Sequence, residues 1–138
     1  MSEPNHRAEV EIVVSFNDCD PMGVVWHGHY FRFFEAAREA LLRSVNYSYH
    51  EMAASGYVWP VVDTRVKYRQ PLRCEERIWV SATIVEYENR LRIDYHIHNA
   101  AGQLTTKAHT IQVAVDQATQ EMCFVSPAIL FERLGVQP

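Results

Sequence analysis

The chain is poor in the residues that build covalent or metal frameworks. Its three cysteines, Cys19, Cys74 and Cys123, are odd in number, widely spaced and free of any CxxC pair, so they read as reduced thiols and not as a disulfide scaffold or zinc site. Basic residues are also scarce. Thirteen Lys and Arg against 17 Asp and Glu leave a formal net charge of −4, which argues against a general nucleic-acid binder and leaves room only for a local basic patch. No apolar run is long enough to span a bilayer, and Met1 to Arg7 is polar where a secretory signal would be apolar, so the expected location is the cytoplasm. Repeats, low-complexity tracts and a Gly-rich phosphate loop are all missing. What remains is an ordinary globular composition, 48% hydrophobic and 22% charged over 138 residues, enough to bury about two-thirds of the unfolded surface in a single domain spanning 1–138.

Periodicity divides that domain into one long helix and a run of strands. Ala8 to Phe16 is β-branched and suits a first strand. From Gly28 to Val45 the apolar residues Tyr30, Phe33, Phe34, Ala37, Leu41 and Leu42 recur at helical spacing, while Arg32, Glu35, Arg38, Glu39 and Arg43 fall mostly elsewhere. Phe31 and Ala36 widen the apolar arc, as expected of a helix wrapped on more than one side. Asn46 to Gly56 reads as a connection with a short helical turn at Tyr49 to Ala54. Strands are expected at Val58 to Tyr68, Arg77 to Tyr87, Leu91 to Asn99 and Thr105 to Asp116, with turns at Glu88–Arg90 and Ala100–Gln103. In the first of these, Val62, Thr64, Val66 and Tyr68 oppose a polar face. In the last, Ile111, Val113 and Val115 share one face. A terminal helix should have Ser126 as N-cap, Pro127 at its first position and Gly135 as its stop. The predicted fold is α+β, a long central helix against a five-stranded antiparallel sheet, with a short C-terminal helix.

Chemistry concentrates where the first strand gives way to the helix. Asp18-Cys19-Asp20-Pro21-Met22-Gly23-Val24-Val25-Trp26-His27 sets two acids and a histidine on a turn, since Pro21 and Gly23 interrupt the strand. Free N–H groups at a helix start can receive a developing oxyanion, and a fixed carboxylate beside them can act as base or nucleophile. Those are half the parts of an acyl-transfer site. Acids before a helix are most often caps, however, and from the residues alone Asp18 and Asp20 are open to either reading.

Ile12 to Asn17 running into this turn, then Tyr30-Phe31-Arg32-Phe33-Phe34-Glu35-Ala36-Ala37-Arg38, resembles the signature of the 4-hydroxybenzoyl-CoA thioesterase-like branch of the hotdog-fold acyl-CoA thioesterases. The resemblance is dense over the first third of the chain. It implies the hotdog fold, hydrolysis of an acyl-CoA without a cofactor, and a homodimer or homotetramer with the active site at the subunit interface. It aligns Asp20 with the catalytic carboxylate and leaves Asp18 to shape the turn. His27 matches a position occupied by histidine in many relatives and by an aromatic residue in the 4-hydroxybenzoyl-specific enzyme; both its side chain and its backbone N–H are candidates. Trp26, Tyr30 and Phe31 are candidates for an acyl pocket, with core packing as the alternative. Arg90 and Arg92 lie near the turn that in relatives contacts the CoA nucleotide, with Arg65, Lys67 and Arg69 the next candidates. Acyl carrier protein could present the acyl group in place of CoA.

Two rival functions use the same fold. A hotdog hydratase or dehydratase would place its Asp and His closer and follow a Gly-Asp-x-Asn-Pro pattern that this chain lacks. An acyl-CoA-binding module without turnover is the other. His27 with His29, and His96 with His98, could be taken for metal ligands, but no third ligand joins either pair at suitable spacing.

Overall fold

The computed structural model describes residues 6–137. Seven strands and three helices follow in order: β1 (Arg7–Val13), α1 (Tyr30–Ser44), α2 (Tyr49–Ala54), β2 (Tyr57–Val58), β3 (Val61–Tyr68), β4 (Arg77–Glu86), β5 (Leu91–Asn99), β6 (Leu104–Gln112), β7 (Val115–Asp116) and α3 (Ala128–Leu134). Five of the strands form one antiparallel sheet in the order β1-β4-β5-β6-β3, and β2 pairs with β7 in a small second sheet. No helix among the described residues is long and apolar enough to cross a membrane.

The core forms where alternation in the strands meets the apolar stripe of α1. Val80 lies opposite Val10 and Ile97, while Tyr95 and Ile97 of β5 and Ile78 and Val80 of β4 are fully buried. Residues directly opposite in a sheet share a face, so one continuous apolar surface receives Phe33, Phe34, Ala37, Leu41 and Leu42 of α1. The helix packs mainly on β1 and β4. Arg38, expected on the polar side, is instead buried: its Nε donates to the Tyr49 hydroxyl at 2.7 Å and its Nη1 lies 3.4 Å from the Tyr95 hydroxyl, which pairs with Thr110 at 2.8 Å. Neutral hydroxyls, not a carboxylate, surround this cation.

Three expectations are corrected here. The last long strand ends at Gln112, and the side of β6 that shares a face with Ile93, Tyr95 and Ile97 is Thr110, Ala108 and Thr106; Ile111 points to the opposite face with Arg92. Val115 belongs to the β2–β7 pair, so Ile111, Val113 and Val115 do not line one strand face. β3 is exposed on both faces apart from a half-buried Val66, because it is the sheet's edge and lies beyond the strands that α1 mainly covers. At the C-terminus the N-cap is Pro127, one residue later than expected, and Ser126 does not cap: its N–H donates to Glu88 O at 2.9 Å, and among the described residues its buried hydroxyl has no hydrogen-bond partner. Gly135 ends α3 in the left-handed conformation (φ 69°) that favours glycine.

Candidate active site

β1 ends in a tight turn rather than a simple loop. Ser15 caps a 3₁₀ turn over Phe16–Asp18, and Asp18 Oδ2 accepts from the Ser15 N–H at 3.0 Å. Asp18 is only 5% exposed, and Arg32 from the first turns of α1 closes on it, with Nε 3.1 Å from Oδ1 and Nη2 on Oδ2. Its carbonyl accepts from the Trp26 N–H at 3.1 Å and lies 3.2 Å from His29 Nδ1. Asp18 therefore ties the turn to the start of α1.

Asp20 sits two residues further on, half-buried, at the head of a second turn closed by Gly23 N–H to Asp20 O and by Asp20 N–H to Val24 O, both 2.9 Å. Gly23 has φ 80°, the geometry that requires glycine here. One carboxylate oxygen, Oδ1, accepts from the N–H groups of Met22 at 2.8 Å and Val24 at 3.4 Å. The other, Oδ2, has no protein partner among the described residues.

The chain then turns through Trp26 into a 3₁₀ turn, His27–His29, that runs directly into α1. The first N–H groups of such a turn precede any intrahelical acceptor and carry its partial positive charge. At Gly28 an added Cβ would lie 2.3 Å from the Trp26 ring, so any larger residue would displace that exposed indole. The Trp26 indole packs near His27 and His29, with ring centroids 5.0 and 5.2 Å apart.

Asp20, Trp26, His27 and Tyr30 all line one open cleft of about 370 Å³. Its other wall comes from the end of β3 and the loop after it, Tyr68, Arg69, Gln70 and Pro71. The two walls are joined by Val25 N–H to Leu72 O at 2.7 Å and by the Tyr68 hydroxyl donating to His27 O at 3.1 Å. Burial pushes the phenols of Tyr30 and Tyr68 above their ordinary pKa, with the Leu72 backbone partly offsetting the effect at Tyr30, so both stay protonated donors at neutral pH. Of these, Arg69 is among the next CoA candidates of the sequence, while Tyr68, Gln70 and Pro71 carry no local signal for the site, because only tertiary pairing brings them to the turn. Phe31 lies on the exposed side of α1 against Phe34 and does not line the cleft.

A third link overturns the reading of three reduced thiols. Cys19 and Cys74 are joined by a disulfide, with Cα atoms 6.0 Å apart, and Cys123 alone is free. Fifty-five positions separate the pair in sequence, and it is the bridges Cys19–Val25 and Val24–Arg73 that bring them together.

Arg90 and Arg92 are not at the cleft. Arg90 holds both carboxylate oxygens of Glu86 at 3.1 Å, and Arg92 pairs with Asp94 at 3.1 Å. Arg92 lies opposite Ile111, itself opposite Asp63, toward the far end of β3 from Tyr68. Among the described residues no three His, Cys, Asp or Glu converge as metal ligands.

A five-stranded antiparallel sheet against one long helix, with an acid and free N–H groups where that helix begins, defines the hotdog class, and solved structures agree. A DHNA-CoA thioesterase of Staphylococcus aureus superposes with TM-score 0.79 at 28% identity over 86% of this chain and 80% of its own. A hypothetical protein of Thermus thermophilus gives TM-score 0.83 at 27% identity over 93% and 97%. A 4-hydroxybenzoyl CoA thioesterase mutant solved with 4-hydroxybenzoyl CoA shares the fold, with TM-score 0.80 at 19% identity over 94% and 99%. The model of the thioesterase-like superfamily matches residues 14–131, and the chain belongs to that family. YneP of Bacillus subtilis (strain 168), a candidate acyl-CoA thioesterase, is 34% identical over 113 residues, covering 81% of this chain and 82% of its own. The acyl-CoA thioester hydrolase YbgC of Escherichia coli O6:H1 is 30% identical over 104 residues, covering 75% and 78%.

Proposed function

We propose that this protein hydrolyses acyl-CoA thioesters to the free acid and CoA, with Asp20 as the reacting carboxylate. The observation that carries the assignment of Asp20 is its divided carboxylate: Oδ1 is held by turn N–H groups, while Oδ2 is unpartnered beside a cleft that begins at the His27 turn. In this reading the thioester carbonyl lies against the first N–H groups of the His27–Ser44 segment, which stabilise the oxyanion. Asp20 either takes a proton from water as it attacks the carbonyl carbon, or attacks directly to give an anhydride that water then opens. Both routes release CoA thiol and a carboxylic acid. His27 contributes its N–H, and its ring stands beside Trp26 at the cleft mouth, where Trp26 and Tyr30 contact the acyl or pantetheine chain.

The active assembly is a homodimer or homotetramer built from this domain. Support comes from β3, an unpaired edge whose Val61, Val62 and Tyr68 are all exposed, an arrangement that stable proteins cover. Arg90 and Arg92 serve the CoA nucleotide, exchanging their present carboxylate partners for phosphate. Acyl carrier protein is an alternative carrier of the acyl group. The proposed compartment is the cytoplasm, where CoA thioesters are consumed; the Cys19–Cys74 disulfide speaks against it, because reducing compartments rarely keep such a bond.

Release of free thiol from a panel of aryl and fatty acyl-CoAs tests the activity. Asp20→Asn should fold as wild type and lose roughly 10²–10⁴ in kcat, the range for a positioned acid-base group. Near wild-type turnover by that variant would remove Asp20 from the mechanism, and no turnover of any acyl-CoA by the wild type would favour a binding module.

A further inference from the structure

The sheet face turned away from α1 carries a charge arrangement that the fold alone works against. Lys67 of β3 stands directly opposite Lys107 of β6, and His96 of β5 stands opposite Lys107 on its other side. On the next same-face row Arg65 lies opposite His109. Like charges placed directly across antiparallel strands, as Lys67 and Lys107 are, destabilise the pairing. Acids do share this face, Asp63 two residues before Arg65, Asp94 opposite His109 and Glu9 across β4 from His96. But Asp94 is held by Arg92 at 3.1 Å and Glu9 by Arg7 at 3.0 Å, and among the described residues the side chains of Arg65, Lys67 and Lys107 enter no hydrogen bond or ion pair.

These cations converge. Arg65, Lys67 and Lys107 line a depression of about 190 Å³ on this face, with His96, His109 and the paired Arg92 and Asp94 completing its wall. Burial first, and then Lys107, lower the pKa of His96, with Asp94 partly offsetting them. Neighbouring strands are about 4.8 Å apart, and same-face residues along a strand about 6.6 Å. One ligand with several adjacent anionic groups can therefore meet both ammonium groups and the Arg65 fork together, whereas a single carboxylate would neutralise only one. We infer that the outer face of the sheet is a binding site for an oligophosphate, held by Lys67, Lys107 and Arg65.

The site is separate from the cleft. Lys67 directly precedes Tyr68, whose hydroxyl reaches His27 on the other side of the sheet, so the two sites lie back to back on the edge strand. The occupant is an independent oligophosphate or the phosphate-bearing end of the CoA substrate; the second rests on the proposed acyl-CoA activity and would take the nucleotide from Arg90 to this face, and the chemistry of recognition is the same.

Inorganic tripolyphosphate is the probe, titrated calorimetrically into the full-length protein and into the double variant Lys67→Gln/Lys107→Gln. Wild type should bind it with an affinity that falls as salt rises. The double variant should bind about tenfold more weakly or worse, as losing two charge-assisted contacts implies. Without ligand, the variant should melt at or above the wild-type temperature, because the opposed charges are gone, which also shows that it folds. Binding is read directly, so the result does not depend on turnover. Kinetics then separate the sources. If CoA is the occupant, tripolyphosphate competes with acyl-CoA but not with an acyl-pantetheine thioester, and the variant's KM rises for acyl-CoA alone. If the anion is independent, tripolyphosphate binds without competing with either substrate. Either pattern supports the site; equal affinity of wild type and variant, or no binding by wild type, overturns it.

Discussion

Breaking the contact between Asp18 and Arg32 should loosen the turn that carries Asp20 and cost measurable stability. The Asp18 side chain is 7% exposed and accepts from Ser15 N–H and from two guanidinium nitrogens, while the Arg32 side chain is 53% exposed. Removing one partner of a fully buried pair costs about 3–5 kcal/mol, and an exposed pair contributes about 0.2–1. Here the carboxylate is dry and the guanidinium is half in water. Arg32→Gln, which leaves the buried carboxylate with the Ser15 N–H and only His29 Nδ1 at 3.8 Å beside it, should therefore cost about 2 kcal/mol. For a chain of this length that lowers Tm by about 6–10 °C. Melting of Asp18→Asn, Arg32→Gln and the double variant by circular dichroism closes a cycle, with an expected coupling of about 1–2 kcal/mol. Additivity within about 0.3 kcal/mol would refute the reasoning, since the two groups would then not depend on one another. Catalysis gives a second contrast. Because Asp18 touches only the turn and α1, Asp18→Asn should reduce kcat far less than Asp20→Asn.

Val62→Lys, at an exposed edge position of β3, should convert a dimer or tetramer to a monomer in sedimentation at micromolar concentration; a wild type that is strictly monomeric and fully active would sink the interface model. A thiol assay on unfolded protein should count one reactive thiol, Cys123, before reduction and three after it. Reduction should lower Tm, because opening a cross-link across 55 positions frees the denatured chain by up to about 4 kcal/mol; identical melting with and without reductant would count against the bond. Arg90→Ala/Arg92→Ala should raise KM for acyl-CoA several-fold to about tenfold with kcat nearly unchanged, and leave a truncated thioester unaffected; equal losses on both substrates would make these arginines structural.

Much of this protein is legible in its local pattern. Helical spacing from Tyr30 to Leu42 and strict alternation from Leu91 to Ile97 are short-range consequences of which residues must avoid water, and the structure buries those very residues. The turn at Asp20–Gly23 is equally local, since Pro21 and Gly23 restrict the backbone whatever surrounds them. Helix starts and stops shift by a residue or two from the local pattern, as at Ser126, whose N–H is taken by the distant Glu88. Long-range proximity lay outside any local pattern. The cleft's second wall, Tyr68 to Pro71, joins Asp20 only because β3 completes the sheet beside β6, and Cys74 meets Cys19 only because two bridges pin the loop to the turn. Arg38, polar by type, is buried because Tyr49 and Tyr95 offer it hydroxyls from two other elements. Composition and periodicity determine which surfaces must be hidden and where the chain must turn. Which distant side chains then meet is decided by strand order and register, because pairing sets every cross-strand neighbour at once.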